Sequence, residues 1–167
     1  MLKINEKKYE NVILYIVDKL GGILKGKKKL AKLLYFADFD YYEKYEEPFI
    51  GDEYRAQPMG PLPVRMTAVL DKLEKGKKIK IGFDHLPGYE KETEIYTSGK
   101  KADLSIFSAK EIAMLERVVK IYGELNGTQL QLLSHGEAPY IGTEPGKAIM
   151  YELATYRGTD FSDLSHA

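Results

Sequence analysis

Two side chains of this sequence could take part in acid–base chemistry, the carboxyl group of Asp38 and the imidazole of His135. On a helical wheel, Asp38 falls on the same side as Leu34 and Tyr42, so we expect a partly buried carboxylate that needs a hydrogen-bonding partner. Such a group either fixes a nearby loop or provides the acidic group of a binding cleft. His135 precedes Gly136 in a turn, where a lone histidine is more often a hydrogen-bonding group than a catalyst. Both residues are therefore candidate site residues with a structural alternative.

The residue types that most other site chemistries need are missing from the sequence. It contains no cysteine, which excludes a disulfide, a thiol nucleophile and a cysteine-ligated zinc ion. The HExxH pair, the GxSxG elbow and the glycine-rich phosphate loops are absent too. His135 and Glu137 are only two residues apart, which is too little to argue a metal site. We therefore predict no catalytic residue, no metal and no cofactor.

Tyrosine is unusually frequent for a chain without tryptophan, at 13 residues. A tyrosine side chain offers a large rigid area with a polar tip, which suits a recognition surface. The alternative is that these tyrosines line the edge of a small core.

The charges of the chain cancel, with 25 Lys and Arg residues against 25 Asp and Glu residues. This balance argues against strong nucleic-acid binding, which usually rests on a basic excess. The charges are nevertheless uneven, because residues 1–32 hold nine lysines against three acidic residues, and residues 38–53 hold seven acidic residues against one lysine. The two stretches either form opposed patches that steer a partner protein or are solvated helix faces.

Length and composition predict one folded domain. The chain has 167 residues, 44% of them apolar, which is enough to fill one core. No apolar run approaches the roughly 18 residues that span a bilayer, and no secretory leader is recognised, so a cytoplasmic location is expected. We predict a single domain over residues 1–155 and a polar C-terminal tail over residues 156–167.

Hydrophobic periodicity predicts the helices that must position Asp38 and His135. We expect a mainly α fold of about six helices packed around a central helix at residues 28–46, whose apolar side chains cover nearly its whole circumference. Ser108 and Glu111 have the spacing of a capping box, which begins a helix. A last helix is expected to begin after Thr143.

Alternating apolar and polar residues predict a small β component. We expect a small antiparallel β-hairpin or sheet made of residues 54–57, 78–83 and 93–97. Gly60 and Pro61 are predicted to form a turn, and a helix is expected to begin near Pro61 or Pro63, since proline fits the first helical turn.

Four segments resemble, in order, the motifs of the Panacea, or SocA-like, antitoxin domains, a family that also includes phage-associated proteins. Lys29–Asp38 (KLAKLLYFAD) resembles the signature helix of the family, and Phe49–Pro61 resembles the segment that leads into its Gly-Pro turn. Leu133–Pro139 resembles its Leu-Ser-His and Pro motif, and Ala148–Ala154 resembles its closing helix. The resemblance covers nearly the whole chain, and it departs from the family at Tyr140, where tryptophan is common.

The resemblance implies an antitoxin-like module that neutralises a cognate toxin by direct protein contact in a type II toxin–antitoxin system. The toxin would be encoded next to the gene of this chain. The resemblance implies no reaction and no cofactor, and it does not identify the toxin. Two alternatives stay open: an adaptor that delivers a bound partner to a protease, and an enzyme that binds a small molecule through Asp38 and His135.

The family motifs and the candidate residues converge on one expected groove that binds the partner. In this groove, Asp38 is expected to accept a hydrogen bond from the Tyr54–Gly60 segment or from His135. The residues predicted for the groove are Tyr35, Asp38, Tyr42, Tyr54, Gly60, Pro61 and His135.

Overall fold

The core of the protein is organised around the second of its helices. In this computed structural model, which describes residues 4–164, the first two helices are α1 (Glu6–Lys19) and α2 (Lys27–Tyr45). All twelve α2 residues from Leu30 to Tyr41 are buried. Most of these side chains are apolar, and a helix with this pattern is stable only where other elements cover every side. The centre of the core is therefore α2.

The remaining helices pack around these two. They are α3 (Met66–Lys75), α4 (Ala109–Tyr122), α5 (Gly127–His135) and the single turn α6 (Ala138–Ile141). Both α4 and α5 pack on α2, and α1 packs against α3 and α4. The predicted capping box of Ser108 and Glu111 is present at the start of α4, where it satisfies backbone N–H groups that have no partner inside the helix. Among residues 4–164, no helix is long and apolar enough to cross a membrane.

Short 3₁₀ helices complete the helical part of the chain. They span Leu104–Ile106, Tyr151–Tyr156 and Ser162–Leu164. After the second of them, Thr159 donates its N–H and its hydroxyl proton to the Glu43 carboxylate at 2.7 Å each, and Leu164 is buried. Residues 165–167 of the predicted polar tail lie outside the described residues.

One antiparallel sheet has three strands. They are β1 (Ile23–Lys25), β4 (Ile79–Asp84) and β5 (Thr93–Ser98), and β5 lies between the other two. Leu24 is paired with Tyr96, and both are buried together with Ile79 on one face of the sheet. This face covers part of the helical core, since β5 contacts α1 and α2.

Two further strands form a separate ribbon, β2 (Tyr54–Gln57) and β3 (Gly60–Pro63). The loop between them has two residues, and Gln57 pairs with Gly60 next to it. From such a loop, hydrogen-bonded pairs alternate along the ribbon with pairs that are not hydrogen-bonded. Pro61 and Pro63 belong to pairs of the second kind, where a strand residue needs no N–H donor. This register explains how a strand accommodates two prolines.

The prediction of a mainly α fold is wrong. The described residues are 51% helical and 15% strand, which makes a mixed α/β fold that is rich in helix and contains two small antiparallel sheets. The three residues of β1 are too few to show an alternating pattern. Residues 60–63 form a strand instead of opening a helix, and α3 begins only at Met66. Consequently, residues 54–57 pair with residues 60–63 and not with the strands at 79–84 and 93–98.

The expected helix after Thr143 is also wrong. A hydrogen bond from the Ile149 N–H to the Tyr54 carbonyl oxygen, at 2.7 Å, ties the segment before the second 3₁₀ helix to the ribbon. The side chain of Met150 is 63% exposed. Backbone pairing with β2 therefore replaces the helical hydrogen bonds that the sequence pattern suggests.

Gly60 stands where an added side chain is expected to be costly. Its φ is +99°, and a Cβ atom there would lie 2.8 Å from Lys32 Cε and 2.9 Å from Ser134 Oγ. Gly60→Ala should lower the free energy of unfolding by about 1–2 kcal/mol through the backbone and by about 1–3 kcal/mol more through overpacking. Gly88→Ala is the matched control, because Gly88 has φ +87° and open space around it. Equal losses for the two variants in urea unfolding would contradict the tight contact.

Candidate functional site

The carboxylate of Asp38 lies inside the core, where three donors surround it. Oδ1 accepts the backbone N–H groups of Ile50 and Gly51, and Oδ2 lies 2.6 Å from the Tyr54 hydroxyl oxygen. Burial raises the pKa of Asp38 to about 6, although the three donors lower it. Asp38 thus joins α2 to the segment that leads into β2.

The Tyr54 hydroxyl has one proton and two neighbouring acceptors. Its oxygen lies 2.6 Å from Asp38 Oδ2 and 3.0 Å from the carbonyl oxygen of Leu34. If Asp38 carries a proton on Oδ2, it can donate to Tyr54, and the Tyr54 proton is then free for the Leu34 carbonyl. The neutral carboxyl group can therefore satisfy every polar atom of this cluster, while the raised pKa of Asp38 itself comes from burial.

A second set of buried charges surrounds Asp40. Its Oδ1 lies 2.6 Å from Arg157 Nη2, and its Oδ2 lies 2.8 Å from Arg117 Nη1. Arg157 Nη2 also lies 3.0 Å from Glu137 Oε2, and Glu137 Oε1 accepts the Tyr35 hydroxyl proton at 2.8 Å. Although burial opposes the charge of Arg157, the carboxylates of Asp40 and Glu137 raise its pKa. The arginine is therefore held as a cation that joins the C-terminal segment to α2.

Lys32 is a third charged residue of α2 with a buried side chain. Its Nζ donates to the Pro61 carbonyl oxygen at 3.0 Å, and its side chain lies against Gly60 and near Ser134 Oγ. Burial, together with the nearby charge of Lys28, lowers the pKa of Lys32 to about 7. Lys32 thereby holds the ribbon against α2.

His135 lies at the end of α5 and stacks on a neighbouring aromatic ring. Its imidazole and the Tyr140 ring are 4.4 Å apart between centroids, with 10° between their planes. The Tyr140 hydroxyl donates to the Gln57 carbonyl oxygen at 2.8 Å, so the stack reaches the ribbon. Within residues 4–164, His135 Nε2 is buried and has no hydrogen-bonding partner. His135 therefore contributes through packing to the contact between α5, α6 and the ribbon.

The predicted site residues fall into two layers. The inner layer is fully or largely buried and comprises Tyr35, Asp38, Tyr54, Gly60 and Pro61. Tyr42 and His135 are half-buried and form the outer layer, and the Tyr42 ring lies 5.6 Å from that of Tyr151. The expected hydrogen bond to Asp38 from the 54–60 segment is present, while the described residues contain no hydrogen bond between Asp38 and His135.

The sequence analysis did not identify four residues that hold this region together: Lys32, Asp40, Arg117 and Arg157. Asp40 lies in an acidic stretch that was predicted to be a patch or a solvated face, yet Asp38, Asp40 and Asp52 are all buried. One feature of the sequence does indicate that Asp40 is buried: it lies on a helix whose side chains are apolar nearly all round. A buried carboxylate there requires a cation.

Several large apolar side chains are exposed on the elements that follow one another from α5 onwards. They lie on α5, on α6 and around the second 3₁₀ helix, and α6 contacts both of the other two elements. We call this surface the α5–α6 face, and its residues are Leu132, Leu133, Ile141, Met150 and Tyr156. Each is between 46% and 77% exposed, and such a concentration of large exposed apolar residues is typical of an interaction site.

Together, the helix-rich α/β fold and the buried polar core describe a small domain whose charged groups hold its elements together. Among residues 4–164, no group of three or more His, Asp and Glu side chains could hold a metal ion. The family model described as antitoxin SocA-like, Panacea domain, matches residues 30–140. The chain belongs to this family, which supports an antitoxin-like function and a toxin as the general kind of partner. A comparison with curated proteins finds no match.

Removing the buried arginine should destabilise the protein strongly. Arg157→Met leaves Asp40 and Glu137 with less positive charge around them, so the free energy of unfolding should fall by about 3–5 kcal/mol. Arg55→Met is the control, because Arg55 forms an ion pair with Glu53 in which both side chains are about half exposed, and such pairs contribute about 0–1 kcal/mol. Urea unfolding at neutral pH measures both losses, and similar values would show that the buried pair has no special role.

The pKa of Asp38 predicts a pH-dependent contribution to stability. Its folded value of about 6 lies above the ordinary value of 3.8, so folding favours the neutral form. The stabilisation is complete below pH 3.8 and is lost as the pH rises to about 6. Asp38→Asn cannot titrate, so the unfolding free energy of the wild type minus that of the variant should fall by about 2–3 kcal/mol between pH 4 and pH 7. Asp71→Asn, at an exposed position, corrects for the loss of one charge, and a constant difference would contradict the assignment.

Proposed function

We propose that this chain is the antitoxin of a type II toxin–antitoxin system and neutralises a cognate toxin by direct protein contact in the cytoplasm. Membership of the SocA-like Panacea family supports the antitoxin part of the proposal. The structural observation that best supports the proposal is the α5–α6 face, where the chain exposes large apolar side chains instead of burying them. A binding surface of this kind gains free energy when a partner covers it.

The toxin is expected to contact the α5–α6 face at its apolar centre. Leu132 and Ile141 are 67% and 68% exposed, and Tyr156 is 77% exposed. Aromatic and large aliphatic side chains of this kind serve as anchors in protein–protein interfaces. Tyr42 and His135, which are half-buried, would lie at the margin of the contact and present their edges to the partner.

The inner layer would act by positioning this face. Tyr35 holds Glu137 immediately before α6, and Asp38 and Tyr54 hold the segment into β2. Gly60 and Pro61 bring the ribbon against Lys32. Because these groups are buried, they contribute to binding through the rigidity of the surface above them, which lowers the entropy lost when the toxin binds.

An enzyme based on Asp38 and His135 has less support. Asp38 and Tyr54 are each 0% exposed, so a substrate would reach them only if the ribbon moved away from α2. His135 stacks on Tyr140 and makes no described hydrogen bond to Asp38. The proposed function therefore assigns no catalytic role to either residue.

The test is a rescue experiment with the toxin reading frame that the proposal expects beside the gene. Its induced expression should arrest growth, and co-expression of this chain should restore growth and give a complex that co-purifies. Ile141→Glu places a charge in the α5–α6 face and should weaken binding by about thirtyfold or more, equivalent to about 2 kcal/mol. The matched control is Ile121→Glu, an exposed isoleucine of α4 that is 41% exposed.

Three outcomes decide the proposal. Loss of rescue by Ile141→Glu, with rescue and melting temperature kept by Ile121→Glu, supports it. Full rescue by Ile141→Glu at unchanged affinity overturns the assignment of the face. The wild-type chain could also restore growth without forming a complex with the toxin. That result would overturn the proposal of direct contact.

A further inference from the structure

The strand β1 has a free edge. The Gly26 N–H donates to the Glu94 carbonyl oxygen at 2.9 Å, and the Ser98 N–H donates to the Gly22 carbonyl oxygen at 2.8 Å. Because hydrogen bonds alternate along an antiparallel pair, the backbone groups of Ile23 and Lys25 point away from β5. Within residues 4–164 these groups have no hydrogen-bonding partner, and the side chains of both residues are exposed.

A wide groove adjoins this edge. It has a volume of about 1570 Å³ and lies between β1, the start of α2 and the loop that joins β4 to β5. Small-molecule pockets usually enclose about 300–1,000 Å³, so this groove has room for a larger occupant such as a peptide. Its walls carry four exposed large side chains: Ile23, Met59, Phe83 and Tyr89. An occupant would therefore find apolar contacts on both sides.

The wall next to β1 is basic. Lys19, Lys25 and Lys27 are exposed beside the edge, and α2 begins without a side-chain cap and without an acidic residue in its first turn. The acidic residues of the groove are Glu90, Glu92, Glu94 and Glu124. Of these, Glu94 accepts the Tyr96 hydroxyl proton, Glu90 and Glu92 belong to the β4–β5 loop, and Glu124 follows α4, so none of them lies on β1. The positive charge is thus concentrated where a new strand would lie.

We propose that β1 is a docking strand for an extended acidic segment of a partner protein. The segment adds to the free edge and forms backbone hydrogen bonds with Ile23 and Lys25, as in other cases of strand addition. One of its side chains, an apolar one, lies opposite Ile23, and an acidic side chain two positions away lies opposite Lys25. A second carboxylate of the segment reaches Lys19 or Lys27. This surface is distinct from the α5–α6 face, and it does not depend on the proposed function.

A model peptide tests the docking strand directly. The probe is a short peptide that repeats Val-Thr-Glu-Thr, so that valine and glutamate are two positions apart on one face of the strand, and the comparison peptide has lysine in place of glutamate. Hydrogen exchange measured by NMR on the whole chain should show that the glutamate peptide slows exchange of the Ile23 and Lys25 amides by about tenfold or more. The lysine peptide should have no effect, and binding of the glutamate peptide should weaken with added salt.

A pair of charge reversals on the two edges of the sheet separates strand addition at β1 from general attraction. Lys25→Glu should weaken binding of the glutamate peptide by about tenfold. Lys80→Glu, on the other edge strand β4, should leave the affinity within about twofold, because Lys80 does not line the groove and β5 separates it from β1. Absence of binding, equal binding of both peptides, or protection at β4 instead of β1 would each overturn the proposal. The proposal is established if the glutamate peptide slows exchange of the Ile23 and Lys25 amides in the wild type and in Lys80→Glu, and if this effect disappears in Lys25→Glu.

Discussion

A buried helix that carries charged residues needs partners for them on several sides, and this requirement determines the arrangement of the protein. Lys32, Asp38 and Asp40 all lie in α2 without exposed surface, and a buried charge without a partner costs several kcal/mol. Each of them binds a different region. Lys32 holds β3, Asp38 holds the segment before β2, and Asp40 binds arginines from α4 and from the C-terminal segment. The polar contacts of one helix therefore position four other parts of the chain.

The sequence predicts those parts of the structure that depend on residues close together in the chain. The central helix was expected at residues 28–46 and spans 27–45, because its apolar pattern is continuous, and the capping box of Ser108 and Glu111 needs only four neighbouring residues. β1 depends on pairing with β5, whose paired residues are 70 to 74 positions further along the chain, and no local pattern predicts that pairing. The same is true of the cation for Asp40, since Arg157 lies in a segment whose polar composition is typical of a solvated tail.

The division between a buried polar layer and an exposed apolar layer connects the fold with the proposed function. Buried hydrogen-bonded networks fix the positions of the groups that form them. The hydrogen bond between Tyr35 and Glu137 therefore fixes the start of α6 relative to α2. The apolar residues above are then displayed on short elements that could not hold a fixed geometry alone. In this arrangement, substitutions on the surface can change the partner while the supporting core stays the same, which is how one domain can serve different partners.

The ion pair between Asp40 and Arg157 joins residues that are 117 positions apart. During synthesis, α2 is complete long before the arginine has been translated, so the nascent chain carries a carboxylate in its apolar helix with only part of its final compensation. These contacts of the core therefore form only after the segment that carries Arg157 has left the ribosome, and a chain that stalls earlier lacks them. Such incomplete chains leave apolar and charged groups of α2 uncovered together, and exposed apolar surface of this kind favours aggregation before folding is finished.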